Sequence, residues 1–220
     1  MAKAVESAYR AIREGIYEGR FAQGSHITAR QLAEATGLSR TPVREAMRRL
    51  DAEGLITLIP NRGAFVASWS TGQIEQIYEL RVLLESFAAQ MAAERINAEQ
   101  CAELEALAHE MRELVEQRPG DHDAIAHVND RFHKGVLAAC GNARLSDLLG
   151  AITEVPLQLS TFRLYSVDEL RRSALQHGEL VAALAARDPD WARSVMTAHI
   201  RSARHTLLSG DKAARRSAGD

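Results

Sequence analysis

The spacing of apolar residues predicts helices along most of this chain. Near the N-terminus it predicts one helix over 4–19 and, after a turn, two shorter helices. Thr28 is a typical N-cap for the first of these and Gly37 ends it. Ser39 caps the second, which runs to about Ala52. The pattern therefore predicts three helices, with a short glycine-containing turn between the second and the third.

A β-hairpin is predicted directly after these helices. The runs ITLI (56–59) and AFVA (64–67) favour β-strands, and the intervening PNRG has the composition of a turn. Helix, turn, second helix and two-stranded wing is the plan of a winged helix-turn-helix. Residues 1–70 are therefore predicted to form such a domain.

The remainder of the chain has a helical pattern throughout, with no convincing strand. A bundle of long helices joined by short connections is typical of an all-α antiparallel domain. The fold class is thus mainly α, an N-terminal winged helix-turn-helix domain followed by an all-α antiparallel bundle over 71–210. Residues 211–220 are polar and are predicted to form a flexible tail. The predicted helices of the bundle are 73–95, 97–117, 121–139, 143–160, 167–186 and 188–208.

Charge is distributed unevenly between the two predicted domains. The 220 residues are 46% hydrophobic and 25% charged, as in a soluble globular protein that can bury a core. Residues 1–70 hold 10 basic against 7 acidic side chains, whereas 71–220 hold 17 against 22. A basic segment on an acidic body suggests that only the first part meets a polyanion.

The location of the protein is predicted from what the sequence contains. No apolar run is long enough to span a bilayer, and the N-terminus does not have the pattern of a signal peptide. Cys101 and Cys140 have no paired spacing, so we expect no disulfide framework and read both as buried small hydrophobes. A cytoplasmic protein without a membrane partner is the expectation.

The third predicted helix carries a stripe of arginines. Val43, Met47 and Leu50 fall on one apolar face, whereas Arg40, Arg44 and Arg48 fall on another face. Like charges at this spacing repel one another, so a bound anion would stabilise the stripe. In a winged helix-turn-helix this helix enters the major groove of DNA, and an arginine can grip guanine there. The alternative is a solvated basic face on a small helical domain.

The residues of this region also resemble a known family. The stretch LAEATGLSRTPVREAMRRLDAEGLITLIPNRGAFV (32–66) is similar to the DNA-binding signature of the GntR family of bacterial transcription regulators, and IREGIYEGRFAQGSHIT upstream resembles the family's first helix and turn. Gly63 would allow a close approach of the backbone. The resemblance implies that operator DNA is contacted by Arg30, Arg40, Thr41, Arg44, Arg62 and Gly63.

Three histidines of the bundle are candidates for a metal site. Asn129 and His133 leave the same face of one predicted helix, because they are four residues apart. His177 and His199 lie on the last two helices, and antiparallel packing could bring them to one level. Three imidazoles and an oxygen donor suit a divalent transition metal such as zinc, nickel or manganese. The alternative is a set of separate core histidines that bond to their neighbours.

The bundle resembles the effector domain of the FadR branch of this family, the all-helical FCD type. The resemblance is carried by ELRVLLESFAAQMAA (79–93), NDRFH (129–133), GN (141–142) and LQHGELVAALAARDPDWARSVMTAHI (175–200). Many members bind a metal through one Asp and three His, which implies His133, His177 and His199 here. The fourth position is Asn129 rather than Asp, so a weaker site is expected, with Asp130 as a second choice of ligand.

An arginine within the apolar part of the bundle is the candidate effector-binding residue. Arg81 has Leu80 and Val82 as neighbours, so it is either paired, with Glu85 four residues further on, or faces a cavity. In similar regulators an arginine near this position helps to bind an acidic effector. Arg163 and Tyr165 are further candidates for lining such a cavity.

These features predict a DNA-binding transcription regulator, a repressor, that binds double-stranded operator DNA as a homodimer. A small organic acid in the metal-containing pocket would control that binding through the spacing of the two DNA-reading heads. The alternative is a regulator whose bundle only dimerises, without effector or metal. A metal-dependent hydrolase is disfavoured, because no acid or base stands out near the histidines and the DNA-binding pattern would be unexplained.

Overall fold

The computed structural model describes residues 2–17, 19–60, 62–152 and 162–217. The chain divides into two compact units, Met1–Trp69 and Ser70–Asp220. Each unit is described by itself below.

The N-terminal unit contains three helices and a three-stranded antiparallel sheet. The elements are α1 (Ala2–Tyr17), β1 (His26–Ile27), α2 (Ala29–Thr36), α3 (Arg40–Ala52), β2 (Ile56–Ile59) and β3 (Gly63–Val66). The sheet has the order β1-β3-β2, and its register pairs Ala64 with Ile27 on one side and with Leu58 on the other. The apolar face predicted for the third helix is buried in the core of this unit, which confirms that prediction.

The turn between α2 and α3 is built from local signals that the sequence displays. Thr28 caps α2 through a capping box with Gln31, and Gly37 ends the helix in the left-handed region with φ of 69°. Ser39 occupies the N-cap position of α3, but its side chain makes no capping hydrogen bond there. The start of α3 therefore depends more on burial of its apolar face than on the predicted cap.

A third strand, β1, was not predicted. It pairs with β3, so this strand of the wing is hydrogen-bonded to β1 on one side and to β2 on the other. At Gly63 the backbone has φ of 99°, and a Cβ atom there would lie 2.4 Å from the carbonyl oxygen of Ile27. Glycine is thus required at this position by the close approach of β1, which is a structural role distinct from the close approach to DNA expected above.

Among the described residues of the second unit, all regular secondary structure is helical. The elements are α4 (Thr71–Arg95), α5 (Ala98–Gln117), α6 (His122–Cys140), α7 (Ala143–Ile152), α8 (Val167–Ala185) and α9 (Pro189–Ser217). Helix α4 is the central element and packs against α6, α7, α8 and α9, while α5 packs against α6 and α8. Ser70, Asn97 and Ser166 form capping boxes at the N-termini of α4, α5 and α8.

Two differences from the sequence-based expectation concern the ends of helices. The helix predicted over 143–160 is seen as α7 up to Ile152, and the rest of that prediction lies outside the described residues. Helix α9 continues to Ser217, whereas the sequence predicts its end near 208 and a flexible tail from 211. The segment KAARR has good helix formers, so it extends the preceding helix despite its polarity. Within the described residues, every helix is too short or too polar to cross a bilayer.

Candidate DNA-binding face and candidate metal centre

The arginine stripe of α3 lines an open cleft in the N-terminal unit. The cleft lies between the start of α2, the exposed face of α3 and the tip of the wing, with a volume of about 770 Å³. Thr41 is exposed on the first turn of α3 but does not line the cleft. The basic residues that line the cleft are Arg30, Arg40, Arg44, Arg48 and Arg62. Gly63 lines it on the side of the wing.

These arginines differ in whether the protein itself neutralises them. Arg48 forms an ion pair of 2.5 Å with Glu45, and Arg30 lies 3.9 Å from Glu34. Among the residues that the structure describes, Arg40, Arg44 and Arg62 have no such acidic partner. The unpaired charges therefore concentrate at the N-terminal half of α3 and at the wing tip. This is the arrangement that a polyanionic ligand would neutralise.

Arg49, on the same helix, is a structural residue. Its guanidinium lies 3.6 Å from the centre of the Tyr9 ring and donates hydrogen bonds to Glu6 and Glu53. These contacts connect α3 to α1 within the unit. Unlike Arg40 and Arg44, Arg49 therefore bonds to the body of its own domain.

In the helical unit, three histidines from three helices meet in one buried cluster. His133 of α6, His177 of α8 and His199 of α9 are all buried, and one nitrogen from each lies within 4.8 Å of the others. Nε2 of His133 is 3.2 Å from Nε2 of His199. The ring of His177 stacks on Phe132 at 4.2 Å. The structure thus brings together residues that are up to 66 positions apart in the chain.

The polar atoms around this cluster are suited to binding a cation. Within the described residues, neither ring nitrogen of His177 has a hydrogen-bond partner, and neither has the buried Oδ1 of Asn129. Buried polar atoms normally have a hydrogen-bond partner, so buried atoms without one require an explanation. Asn129 lines a cavity together with His133 and His199. Three imidazole nitrogens and one amide oxygen, all of them acceptors, form a donor set that suits a divalent transition metal.

The second choice of oxygen ligand points elsewhere. Asp130 accepts a hydrogen bond of 2.7 Å from Lys134 and lines a different cavity, of about 310 Å³, beside α7. It does not line the cavity shared by Asn129 and the histidines. The rotation of its side chain away from the cluster follows from its place one residue further along α6.

Burial keeps two of these imidazoles neutral. Burial, and then the neighbouring imidazoles, lower the pKa of His177 well below the usual 6.5, and burial followed by the charge of His133 lowers the pKa of His199 to about 3. A neutral imidazole is the form that binds a metal. These two side chains are therefore ready to act as ligands at neutral pH without releasing a proton.

The same shifts predict that the metal-free protein loses stability on mild acidification. Below pH 6.5 the unfolded chain protonates these histidines, whereas the folded protein does not because burial lowers the pKa of each, so falling pH favours unfolding. We expect the free energy of unfolding to fall below pH 6.5, with a slope that approaches about 1 kcal/mol per pH unit for each imidazole near pH 5. Urea melts at pH 7, 6 and 5 with a chelator present measure this slope. The His177→Phe variant should have a shallower slope, and equal slopes would contradict the assignment.

A buried ion pair joins Arg81 to the histidine cluster. Nε of Arg81 donates a hydrogen bond of 2.7 Å to Oε1 of Glu85, and Oε2 of Glu85 lies 2.7 Å from Nδ1 of His133. Burial raises the pKa of the Glu85 carboxyl, but the Arg81 charge and then the contacts with His133 outweigh burial and lower this pKa to about 2. The guanidinium of Arg81 also lies 4.8 Å from the centre of the Tyr78 ring. Arg81 is thus paired and also faces a cavity, so both readings left open by the sequence hold.

The cavity that Arg81 faces is small in this structure. Its volume of about 20 Å³ is enough for one water-sized molecule. Tyr165 forms part of its wall, as the sequence suggested, and burial raises the pKa of its hydroxyl. Arg163 is not among the lining residues and lies 3.6 Å from Asp123.

The contact between Glu85 and His133 was not predicted from the sequence. The spacing of Arg81 and Glu85 on one helix predicts their ion pair, but nothing in the chain indicates that the second carboxylate oxygen faces an imidazole from α6. The sequence shows only that Glu85 lies four residues after Arg81, which indicates the ion pair between them. The contact of Glu85 with His133 becomes visible only when α4 is packed against α6.

Together, the winged helix-turn-helix with an arginine-lined cleft and the helical unit with a buried histidine cluster define a DNA-binding transcription regulator with a separate helical domain. Comparison with known families agrees. The family of bacterial regulatory proteins named gntR matches residues 4–66, and the FCD domain matches residues 76–202. The chain belongs to the GntR family of transcription regulators, with an FCD domain.

Individual relatives are consistent with this membership. The chain is 28% identical over 198 residues to the transcriptional repressor RspR of Escherichia coli, covering 89% of this chain and 85% of RspR. It is 29% identical over 147 residues to the transcriptional regulator YdhC of Bacillus subtilis, covering 67% of this chain and 65% of YdhC. Among solved structures, Escherichia coli McbR/YncC has the same fold, with a TM-score of 0.66, 24% identity and coverage of 95% and 99% of the two chains.

Proposed function

We propose that this regulator is a repressor whose affinity for its operator is controlled by a small organic acid in a metal-containing pocket of the helical unit. The observation that carries the proposal is the cluster of three buried imidazoles with unpartnered acceptor atoms, beside a buried arginine. RspR, a relative over most of its length, is a repressor. Its name supports the same direction of regulation here.

DNA would be read by α3 and the wing. Arg40 and Arg44, with Thr41 beside them, would reach base edges in the major groove, and Arg62 would reach the phosphate backbone or the minor groove. Arg30, at the start of α2, would contact a phosphate. Gly63 would contribute by holding the wing against β1, as its close contact with Ile27 requires.

The metal would be held by His133, His177 and His199, with the amide oxygen of Asn129 as a fourth donor. A bound divalent ion would supply a positive charge and an open coordination position for the carboxylate of an acid. Arg81 lines the same cavity and would donate hydrogen bonds to that carboxylate. Because Asn129 brings no negative charge, we expect weaker metal binding than an aspartate would give.

Effector binding would require the pocket to open. The present cavity has room for a single water-sized molecule, so an organic acid must displace wall residues such as Phe162 and Tyr165. An effector that binds the open arrangement better shifts the protein toward it. If the two arrangements differ in operator affinity, binding of the acid and of DNA are coupled.

Fluorescence anisotropy with the DNA upstream of the gene tests this function. We expect at least one acid from a panel of mono- and dicarboxylates to change operator affinity and to raise the melting temperature, and both effects to require Zn²⁺, Ni²⁺ or Mn²⁺. A panel without effect under all metal conditions would favour a bundle that only dimerises. Metal-dependent hydrolysis of small esters or lactones would instead favour the alternative hypothesis of a metal-dependent hydrolase.

The protein would act as a homodimer, because the two DNA-binding domains of a dimer match the two half-sites of an approximately palindromic operator. An exposed apolar stripe on α4 offers the matching surface. Leu80, Leu83 and Phe87 follow at intervals of three and four residues and are 46%, 60% and 44% exposed. Contiguous apolar surface of this kind is typical of an interface between protein chains.

A charge within this stripe should therefore produce monomers. We expect the Leu83→Asp variant to elute with the mass of one chain in size-exclusion chromatography with light scattering, and to bind operator DNA more weakly. Leu175→Asp is the matched control, because Leu175 is 66% exposed on α8, and this variant should remain dimeric. A Leu83→Asp variant that keeps the wild-type mass would place the interface elsewhere.

A further inference from the structure

We propose that Glu85 is a positioning residue that keeps Nε2 of His133 free of a proton and available to a metal ion. The inference rests on the proposed metal centre, in which Glu85 is not a ligand. Glu85 acts through His133, and its own connection to Arg81 determines how it acts.

The starting point is the geometry of one carboxylate between two partners. Oε1 of Glu85 accepts from Nε of Arg81, and Oε2 lies 2.7 Å from Nδ1 of His133, with both carboxylate and imidazole buried. The two atoms are in close contact, but the ring N–H is not aligned with the carboxylate oxygen as in a regular hydrogen bond. A carboxylate only accepts hydrogen bonds, so it favours a proton on Nδ1.

The position of that proton decides whether His133 can be a ligand. A neutral imidazole carries one N–H, so a proton held on Nδ1 leaves Nε2 with a free lone pair. Nε2 is the atom that lies 3.2 Å from Nε2 of His199, inside the cluster. The tautomer stabilised by Glu85 therefore presents an acceptor nitrogen where the cation would be bound.

Arg81 makes this arrangement sensitive to a single substitution. In a Glu85→Gln variant, Nε–H of Arg81 can only donate a hydrogen bond, so the amide oxygen of the glutamine would face Arg81. The NH₂ group of the glutamine would then face Nδ1 of His133 and donate to it. That reverses the tautomer and places the proton on Nε2, where it blocks coordination.

The experiment compares zinc affinity by competition with a chromophoric chelator. We expect Glu85→Gln to weaken Zn²⁺ binding by about 10- to 100-fold, which is typical for loss of such a partner. Glu79→Gln, an exposed change on the same helix, should bind zinc like the wild type. A wild-type chain without saturable zinc binding would overturn the metal centre itself and this inference with it. Wild-type binding with an unchanged Glu85→Gln variant would overturn this inference alone.

A double variant separates positioning from a general loss of structure. In Arg81→Met with Glu85→Gln, no arginine fixes the amide, so the glutamine can turn its oxygen toward Nδ1–H of His133. We expect zinc affinity to recover to within a few-fold of the wild type, and the double variant also removes the buried unpaired cation that could unfold the single variant. A double variant as weak as Glu85→Gln would contradict the proposed role.

The tautomer itself is measurable in metal-free protein. Long-range ¹H–¹⁵N correlation spectra at pH 8 distinguish the protonated from the bare ring nitrogen, and the His133→Gln variant identifies the signals. We expect the proton of His133 on Nδ1 in the wild type and on Nε2 in Glu85→Gln. The same tautomer in both proteins would refute the mechanism regardless of the zinc result.

Discussion

Replacement of Arg44 by alanine should weaken operator binding by roughly 5- to 150-fold, because a bidentate contact between arginine and guanine contributes about 1–3 kcal/mol of discrimination. Arg44 is exposed in the middle of the stripe on α3 and lacks an acidic partner among the described residues. Its loss should therefore reduce affinity without destabilising the fold. Fluorescence anisotropy with labelled operator and unlabelled competitor DNA measures the change.

The control for this substitution is Arg10→Ala. Arg10 is also an exposed arginine of the same unit. It lies on α1 and pairs with Glu6, so its removal takes away one charge outside the cleft. We expect at most a small loss of affinity that is similar for operator and competitor. Equal effects of the two substitutions would mean that the stripe on α3 contributes only general electrostatics.

Replacement of His177 by phenylalanine should abolish stabilisation by a metal. In the wild type, a metal ion at 100 times its dissociation constant adds about 2.7 kcal/mol to the free energy of unfolding, which raises the melting temperature by roughly 5–10 °C. Neither ring nitrogen of His177 has a hydrogen-bond partner among the described residues, and its ring stacks on Phe132, so phenylalanine would keep this ring contact without losing a hydrogen bond. The metal-free variant should remain folded and bind operator DNA.

Thermal melts with and without Zn²⁺, Ni²⁺ or Mn²⁺ test this prediction. His109→Phe is the matched control, because His109 is exposed on α5 and lies beside Glu113, far from the cluster along the chain. This variant should show the full wild-type increase in melting temperature. A His177→Phe variant that is stabilised as much as the wild type would remove His177 from the set of ligands.

The helices and the boundaries of the turn were predictable because their signals are local. Thr28 and Gln31 form their capping box within one turn, and Gly37 has the positive φ that ends a helix. The two-residue strand β1 was not predictable, because a run as short as His26–Ile27 has no alternating pattern. It forms a strand only through its pairing with β3. At the other end of the chain, the polarity of the last residues outweighed their helix propensity in the prediction.

The candidate site was predictable as far as helix spacing and family resemblance extend. Asn129 and His133 share a face because they are four residues apart, whereas the arrival of His177 and His199 at the same place depends on the packing of three helices. The role of Glu85 between Arg81 and His133 depends on packing as well. The size of the cavity is set by side chains from several helices, so no sequence pattern reports it.

A crystal structure of the protein grown with Zn²⁺, with anomalous data collected on both sides of the zinc absorption edge, tests the central claim most directly. The claim is that His133, His177 and His199 form a metal centre. We expect one anomalous peak per chain with nitrogen atoms of all three imidazoles about 2.0–2.1 Å away, and with Nδ1 of His133 still facing Glu85. Imidazoles that remain in mutual contact without an anomalous peak between them, at a zinc concentration that saturates other sites, would contradict the account.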